Sequence, residues 1–241
     1  GFPEGDQIQA VIPVRDFAEG SLVFATSAGV IKRTALYDYR RPKAGGIIAI
    51  GLDEGDRVID VAVCKDDDQV ILGTADGKSI KFQVTDVRTM GRPARGVRGI
   101  KLKQGDELRG MARVTDGATL LTACEHGYGK RTVFDEYPLQ GRGGQGVIDI
   151  KTTKRNGRVV TIRAVSPEQD VMYMTSGGQV VRTPAADIPE IGRATQGVRL
   201  IAIKGDDQLA SATPVDPDEG DPEDVLDGGP ADAGGDGDGD G

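Results

Sequence analysis

The residues of this chain best suited to chemistry are cations set at repeated positions beside glycines, which fits holding a polyanion better than transforming a substrate. Four turn glycines, Gly29, Gly77, Gly127 and Gly178, are each followed four residues later by a cation, at Arg33, Lys81, Arg131 and Arg182. The sharpest local motif is Gln140-Gly141-Arg142-Gly143-Gly144-Gln145-Gly146. Glycines let a backbone approach a phosphate closely, their N–H groups can point at its oxygens, and Arg142 can add a charge-assisted contact. Such contacts hold nucleic acid without reading its sequence. Gly141, Gly143 and Gly146 also satisfy Gly-x-Gly-x-x-Gly. A dinucleotide site needs a helix next, however, and strand-like Val147-Ile148-Asp149-Ile150 follows.

Enzymatic chemistry is poorly provided for. His126 is the only histidine, and Cys124-Glu125-His126 lacks the further ligands of a zinc site. One turn histidine cannot serve a triad. Tyr37, Tyr39, Tyr128, Tyr137 and Tyr173 read as packing residues, and Asp53-Glu54 and Asp66-Asp67-Asp68 as solvated turns. No catalytic residue, metal ligand or cofactor is therefore assigned to this segment.

The elements that must position the cations follow from a repeat. Gly46, Gly96, Gly146 and Gly197 are each followed four residues on by Ile50, Ile100, Ile150 and Ile201, at steps of 50, 50 and 51 residues. A polar turn recurs between units as Gly5-Asp6, Gly55-Asp56, Gly105-Asp106, Asn156-Gly157 and Gly205-Asp206. A period of this length with several turns per unit predicts blades or arrays. Within a unit, Val70 to Thr74, the turn Ala75-Asp76-Gly77 and Lys78 to Phe82 predict a hairpin, and Leu22 to Thr34, Thr119 to Thr132 and Val171 to Thr183 read alike. A polar connection of about ten residues follows each hairpin, and no sustained helical period is present. The expected architecture is all-β, with units at roughly 5–54, 55–104, 105–156 and 157–205 and a closing strand, together spanning 1–213.

One small sheet cannot bury both its faces, so blades stack and repeated cations line up into a track. The expected members are Lys32, Arg33, Arg41 and Lys43, then Lys81, Arg92, Arg95 and Arg98, then Lys130, Arg131 and Arg142, then Arg182, Arg193 and Arg199. The net charge of -8 hides this, because eleven acids and no base lie from Pro214 onward. Taking those eleven from the 38 acids leaves 27 against 30 bases, so the repeats carry +3. The segment 214–241, rich in Gly and Asp, is expected to be a disordered acidic tail.

With 36 Gly, five Phe, five Tyr and no Trp in 241 residues, the core must be built from Val, Ile, Leu and Ala. No apolar run approaches the ~18 residues of a membrane span and no signal peptide opens the chain, which reads as the middle of a longer polypeptide. Cys64 and Cys124 lie in different repeats and make no disulfide framework, so a reducing, cytoplasmic setting is expected.

Gln140 to Gly146, Gly127-Tyr128-Gly129-Lys130-Arg131-Thr132, Gly96-Val97-Arg98-Gly99-Ile100 and the acidic tail together resemble the C-terminal domain of DNA gyrase A. The resemblance implies a β-pinwheel, a propeller-like spiral of hairpin-exchanging blades whose basic rim wraps double-stranded DNA without sequence preference. It implies partners in the rest of the gyrase A polypeptide and in gyrase B, assembled as a bacterial, nucleoid-associated heterotetramer whose ATP and magnesium drive negative supercoiling. Residues 140–146 match the family's box, required for wrapping, at five of seven positions; Gly141 and Gln145 stand where the family has cations. The family domain generally has six blades and this chain shows four, so the first blades and the principal box are expected upstream. The alternatives are the corresponding C-terminal domain of topoisomerase IV, and a propeller scaffold that binds protein.

Overall fold

The computed structural model describes residues 8–217; Gly5-Asp6 and residues 218–241 of the expected tail lie outside them. The path opens with β1 (Ser21–Thr26), β2 (Val30–Ala35) and β3 (Val58–Cys64). It continues with β4 (Gln69–Thr74), β5 (Lys78–Gln83), β6 (Val97–Arg98) and β7 (Leu108–Arg113). Next come β8 (Thr119–Cys124), β9 (Tyr128–Val133), β10 (Val147–Ile148) and β11 (Val159–Val165). The last set is β12 (Asp170–Thr175), β13 (Val180–Pro184), β14 (Val198–Arg199) and β15 (Leu209–Val215). Each full repeat thus reads hairpin, short strand, long strand, and the only helical elements described are single 3-10 turns after each hairpin, such as Leu36–Tyr39.

The sheets order as β3-β1-β2-β6, β10-β5-β4-β7, β11-β8-β9-β14 and β13-β12-β15. Each of the first three blades is therefore one hairpin, the long strand that follows it, and a short strand lent by the next repeat, and the last lacks the lent strand among the described residues. The unit boundaries read from the sequence fall inside sheets, because the polar turn before each long strand is a corner within a blade. β3, which begins after that turn, pairs with β1 from Ser21 opposite Cys64 to Thr26 opposite Val58. The last blade also passes the expected 213/214 boundary, since β15 reaches Val215 and Gln169 Nε2 donates to Asp216 Oδ1 at 2.9 Å.

The two recurrent signals of the sequence meet in space. Each hairpin turns at a left-handed glycine, with φ of 76° at Gly29, 78° at Gly77 and 76° at Gly127. That turn is covered by the isoleucine of the following repeat: Ile100, Ile150 and Ile201 donate their N–H groups to the carbonyls of Gly29, Gly77 and Gly127. A Cβ on Gly77 would lie 2.2 Å from Ile150 O, so the glycine permits the close approach as well as the turn. Ile100 and Ile150 are both 1% exposed and join hydrophobic clusters between neighbouring blades.

The long strands pack beside one another at the centre of the arc, and Arg163 on β11 reaches past Gly110 on β7 to pair with Asp60 on β3 at 2.6 Å. Burial raises the Asp60 carboxyl above its usual range, with Arg163 opposing it. Cys64 and Cys124 are free and buried, and burial pushes both thiols up to about 12. No described helix is long and apolar enough to cross a membrane.

Candidate nucleic-acid interface

Most of the hairpin cations do not form a surface track. Lys32 and Lys130 are fully buried, and Arg33, Lys81 and Arg131 are each 7% exposed. Strand exchange is the cause. The connection of the next repeat crosses each hairpin in a parallel bridge, Arg33 to Thr89, Lys81 to Leu139 and Arg131 to Glu190, and seals the cation beneath it. Their donors are consumed internally. Arg33 pairs with Asp66 and donates Nε to Ser21 Oγ at 3.0 Å, Lys81 Nζ donates to Phe134 O at 2.8 Å, and Arg131 Nε donates to Ile188 O at 2.9 Å. Arg182 differs: it is exposed and pairs with Asp170 at 2.6 Å, and among the described residues no further connection crosses it.

Lys32 and Lys130 hold the same place in the first and third blades with different partners. Lys130 Nζ meets Asp149 Oδ1 at 3.0 Å and donates to Thr132 Oγ1 at 2.6 Å, while Thr122 and Tyr137 hydroxyls donate to the same carboxylate. Lys32 Nζ has Ala49 where Asp149 would be, and it donates only to the carbonyls of Ala49 and Arg92. Burial first, and the Arg92 charge second, push the Lys32 ammonium down from 10.5 to about 8.

Arg182 apart, the expected track members that reach solvent lie on the connections. Arg41, Lys43, Arg95, Arg98, Arg142 and Arg199 are exposed, and Arg92 and Arg193 are half-buried. Three of them share a register that the hairpin cations had obscured: Gly91-Arg92, Gly141-Arg142 and Gly192-Arg193 each precede the next turn glycine by the same spacing. Successive connections also bond to one another, Gly51 N to Ala94 O at 3.1 Å, Lys101 N to Gly144 O at 2.8 Å and Lys151 N to Thr195 O at 2.7 Å. The result is one continuous edge crossing the blades. Its charge is not uniform, for Ile48 and Ile148 are exposed at the positions that Arg98 and Arg199 occupy.

Charge pairing separates this edge from the centre. Beside or on the long strands, Arg57, Arg109, Arg113, Arg158 and Arg163 all pair with carboxylates. Of the connection cations described, only Arg95 does, with Asp53 at 2.5 Å. Three others are steered by neutral groups. Arg142 donates to Asp86 O at 2.9 Å and Arg98 O at 3.2 Å, Arg193 donates to Ile148 O at 3.3 Å, and Arg40 stacks 3.5 Å over Tyr37. In these three the position is fixed while the charge stays uncompensated, which suits phosphate binding.

The run 140–146 spans an exposed bend in this edge. Part of its backbone is already committed, since Gly143 N–H donates to Gly99 O at 2.6 Å and Gln140 N–H to Lys81 O at 2.8 Å. Gly141 is open, whereas a Cβ on Gly146 would lie 2.2 Å from Ser79 O at a φ of 66°. Gly146 is thus needed for close packing of the protein on itself. Beside Gln145, Lys78, Lys101 and Lys103 line a cavity of about 160 Å³ together with Asp106, so three cations against one acid bring positive charge to a position that lacks it. Lys103, Lys151, Lys154 and Arg155 stand outside the repeated glycine–cation spacing, in inter-unit turns that read from the sequence as plain polar turns.

An arc of blades that exchange strands, three of them four-stranded and the last three-stranded among the described residues, with a cationic outer edge, defines the class as a β-pinwheel of the propeller type. The chain belongs to the DNA gyrase C-terminal domain family. The family model described as "DNA gyrase C-terminal domain, beta-propeller" matches residues 20–65, 68–115, 118–166 and 169–216, one match per blade. DNA gyrase A of Salmonella typhimurium is 43% identical over 219 residues, which covers 89% of this chain and 25% of that protein. The Escherichia coli protein is 40% identical over 221 residues, with 90% and 25% covered. The chain therefore spans about a quarter of the length of these curated relatives. A solved gyrase A C-terminal domain superposes with a TM-score of 0.75 at 29% identity, covering 83% of this chain and 67% of that one. A topoisomerase IV C-terminal domain superposes with a TM-score of 0.83 at 23% identity, over 89% and 68%, and speaks for the fold alone.

Proposed function

We infer that this domain binds double-stranded DNA along the connection edge, without reading sequence, and bends it around the arc. In the intact gyrase, with the rest of gyrase A, with gyrase B, and with ATP and magnesium, that wrapping directs strand passage toward negative supercoiling. The domain itself contributes binding and geometry, and the bond-breaking chemistry belongs elsewhere in the assembly. One observation carries the reading: Arg95 apart, none of the described connection cations is ion-paired, and Arg40, Arg142 and Arg193 are held by carbonyls and an aromatic ring instead. A protein-binding scaffold would have no need to keep these charges uncompensated along a continuous edge.

Titration with linear duplex at rising salt tests this directly. A wrapping edge binds unrelated sequences alike, and log K falls linearly with log salt, by about 0.9 per neutralised phosphate. Weak binding with a flat salt response would refute it. A topology assay on the full-length protein with its ATPase partner then separates gyrase, which supercoils relaxed plasmid negatively, from topoisomerase IV, which would only relax and decatenate.

A further inference from the structure

Among the four inter-unit turns described, one departs from the other three in charge and in construction. In the first, second and fourth repeats an aspartate caps the neighbouring hairpin turn. Asp56 Oδ1 accepts from Ala28 N and Arg57 N, Asp106 Oδ1 from Asp76 N and Glu107 N, and Asp207 Oδ1 from Gly177 N and Gln208 N, all at 2.7 to 2.9 Å. In the third repeat that position is Gly157. The capping carboxylate comes instead from the hairpin side, as Glu125 Oε2 accepts from Arg158 N at 2.8 Å, and a Cβ on residue 157 would lie 2.7 Å from that oxygen.

Freed of its acid, the turn Lys151-Thr152-Thr153-Lys154-Arg155-Asn156 carries three cations and no carboxylate. It is nevertheless rigidly built. Asn156 is fully buried, donates Nδ2 to Lys151 O at 3.0 Å and Gln196 O at 3.1 Å, and accepts from Thr153 N at 2.7 Å and Thr153 Oγ1 at 3.0 Å. Lys151, Lys154 and Arg155 are exposed, and none forms an ion pair among the described residues.

Tyr128 turns this loop into a site. The Arg155 guanidinium lies 4.7 Å from the centre of its ring, Arg199 lies 5.7 Å from it, and Arg199 Nη2 donates to the phenol oxygen at 3.2 Å. Arg199 sits on β14, directly opposite Tyr128 in the sheet, so two arginines from different repeats converge on one ring. Stacked guanidinium groups lose little freedom on gaining a phosphate and keep their in-plane N–H groups for it.

We propose that Arg155 and Arg199, aligned by Tyr128 and flanked by Lys154, clasp a phosphodiester of the DNA backbone where the duplex passes from the third blade to the fourth. The site rests on the reading that the connection edge binds DNA, but it is separate from residues 140–146. Arg155 and Arg199 are the contacts; Tyr128 is a positioning residue.

The test uses the whole 241-residue chain and a linear duplex of mixed sequence, titrated across a salt series. R155A/R199A should lower the magnitude of the salt slope by about two, the loss of two phosphate contacts. Tyr128→Ala should weaken binding several-fold at an unchanged slope, since the charges remain and only their alignment goes, and Tyr128→Phe, which keeps the ring, should stay near the parent. These side chains are exposed or half-buried, so unchanged melting confirms that the fold is intact. An R155A/R199A slope equal to the parent's, with R142A still lowering it by about one, would overturn this site and leave the DNA-binding edge standing. Failure of the parent to bind duplex at low salt would overturn both.

Discussion

Lys32 and Lys130 occupy equivalent places in two blades, and removing their charges should move stability in opposite directions. At Lys130 the ammonium, the Asp149 carboxylate, Thr122, Thr132 and Tyr137 are all buried and mutually bonded. Lys130→Met leaves Asp149 without its cation, and breaking a buried pair on one side costs about 3–5 kcal/mol. For a domain of this size about 1 kcal/mol moves Tm by about 2–4 °C, so Tm should fall by about 6–20 °C. Lys32 has no acid bonded to it, only the more distant Asp38 charge opposing burial and Arg92, and its ammonium is held at about 8 instead of 10.5. At 1.36 kcal/mol per pKa unit that drop sets a ceiling of about 3 kcal/mol, reduced by solvent reaching the exposed 40–50 connection and by the Arg92 carbonyl left unpaired. Lys32→Met should therefore stabilise by about 1 kcal/mol at pH 7. Between pH 8 and 10.5 the unfolded parent holds this proton while the folded parent sheds it, so parental stability rises through that window and the advantage of Lys32→Met shrinks. Urea denaturation of both variants at pH 7 and pH 10 reads all of this. Losses of equal size at pH 7 would refute the claim that the aspartate separates the two lysines.

Three further outcomes are expected. Arg131→Met should lower the urea midpoint while leaving the salt slope of DNA binding unchanged, because its side chain is sealed beneath the 189–191 connection; a reduced slope at full stability would return Arg131 to the surface. Gly146→Val should destabilise by about 2 kcal/mol or more and weaken DNA bending, since its Cβ would overlap Ser79 O, whereas Gly141→Ser meets open space and should match the parent in cyclisation of short DNA circles. Hydrogen bonds from Arg199 and then Arg155 hold the Tyr128 phenol below its usual value, so ultraviolet titration should show one early-ionising tyrosine that Arg199→Ala moves upward. An unchanged titration in that variant would break the link between the two residues.

The fold was legible because its two sequence signals are the two sides of one contact. A turn glycine recurs because only glycine lets the hairpin corner turn left-handed against a backbone, and an isoleucine recurs because it is what covers that corner. Which repeat supplies the cover was not legible. A period records that Gly29 and Ile50 belong to one unit, yet in space Gly29 lies under Ile100. The same blindness misplaced the cations. Strand alternation allows Arg33, Lys81 and Arg131 to face outward, and only the lent connection from the next repeat decides that they do not.

That misplacement shows how the fold separates its charges. A blade buries the polar edge of its own hairpin with the neighbour's connection, so whatever cation stands there must find carbonyls or an acid within the protein. The connection gains no such cover, and its arginines keep their charge for a partner outside. The third inter-unit turn was overlooked for a related reason: Asn156-Gly157 stands where Gly55-Asp56 and Gly105-Asp106 stand, and reads as the same polar turn. Its difference lies in where the carboxylate is. Moving the acid from the turn to Glu125 keeps a carboxylate on the Arg158 N–H, leaves the hairpin His126 N–H to the Asn156 carbonyl, and changes the sign of the charge that the turn presents to solvent. A repeat protein can thus alter its binding edge in one blade without disturbing the packing that all the blades share.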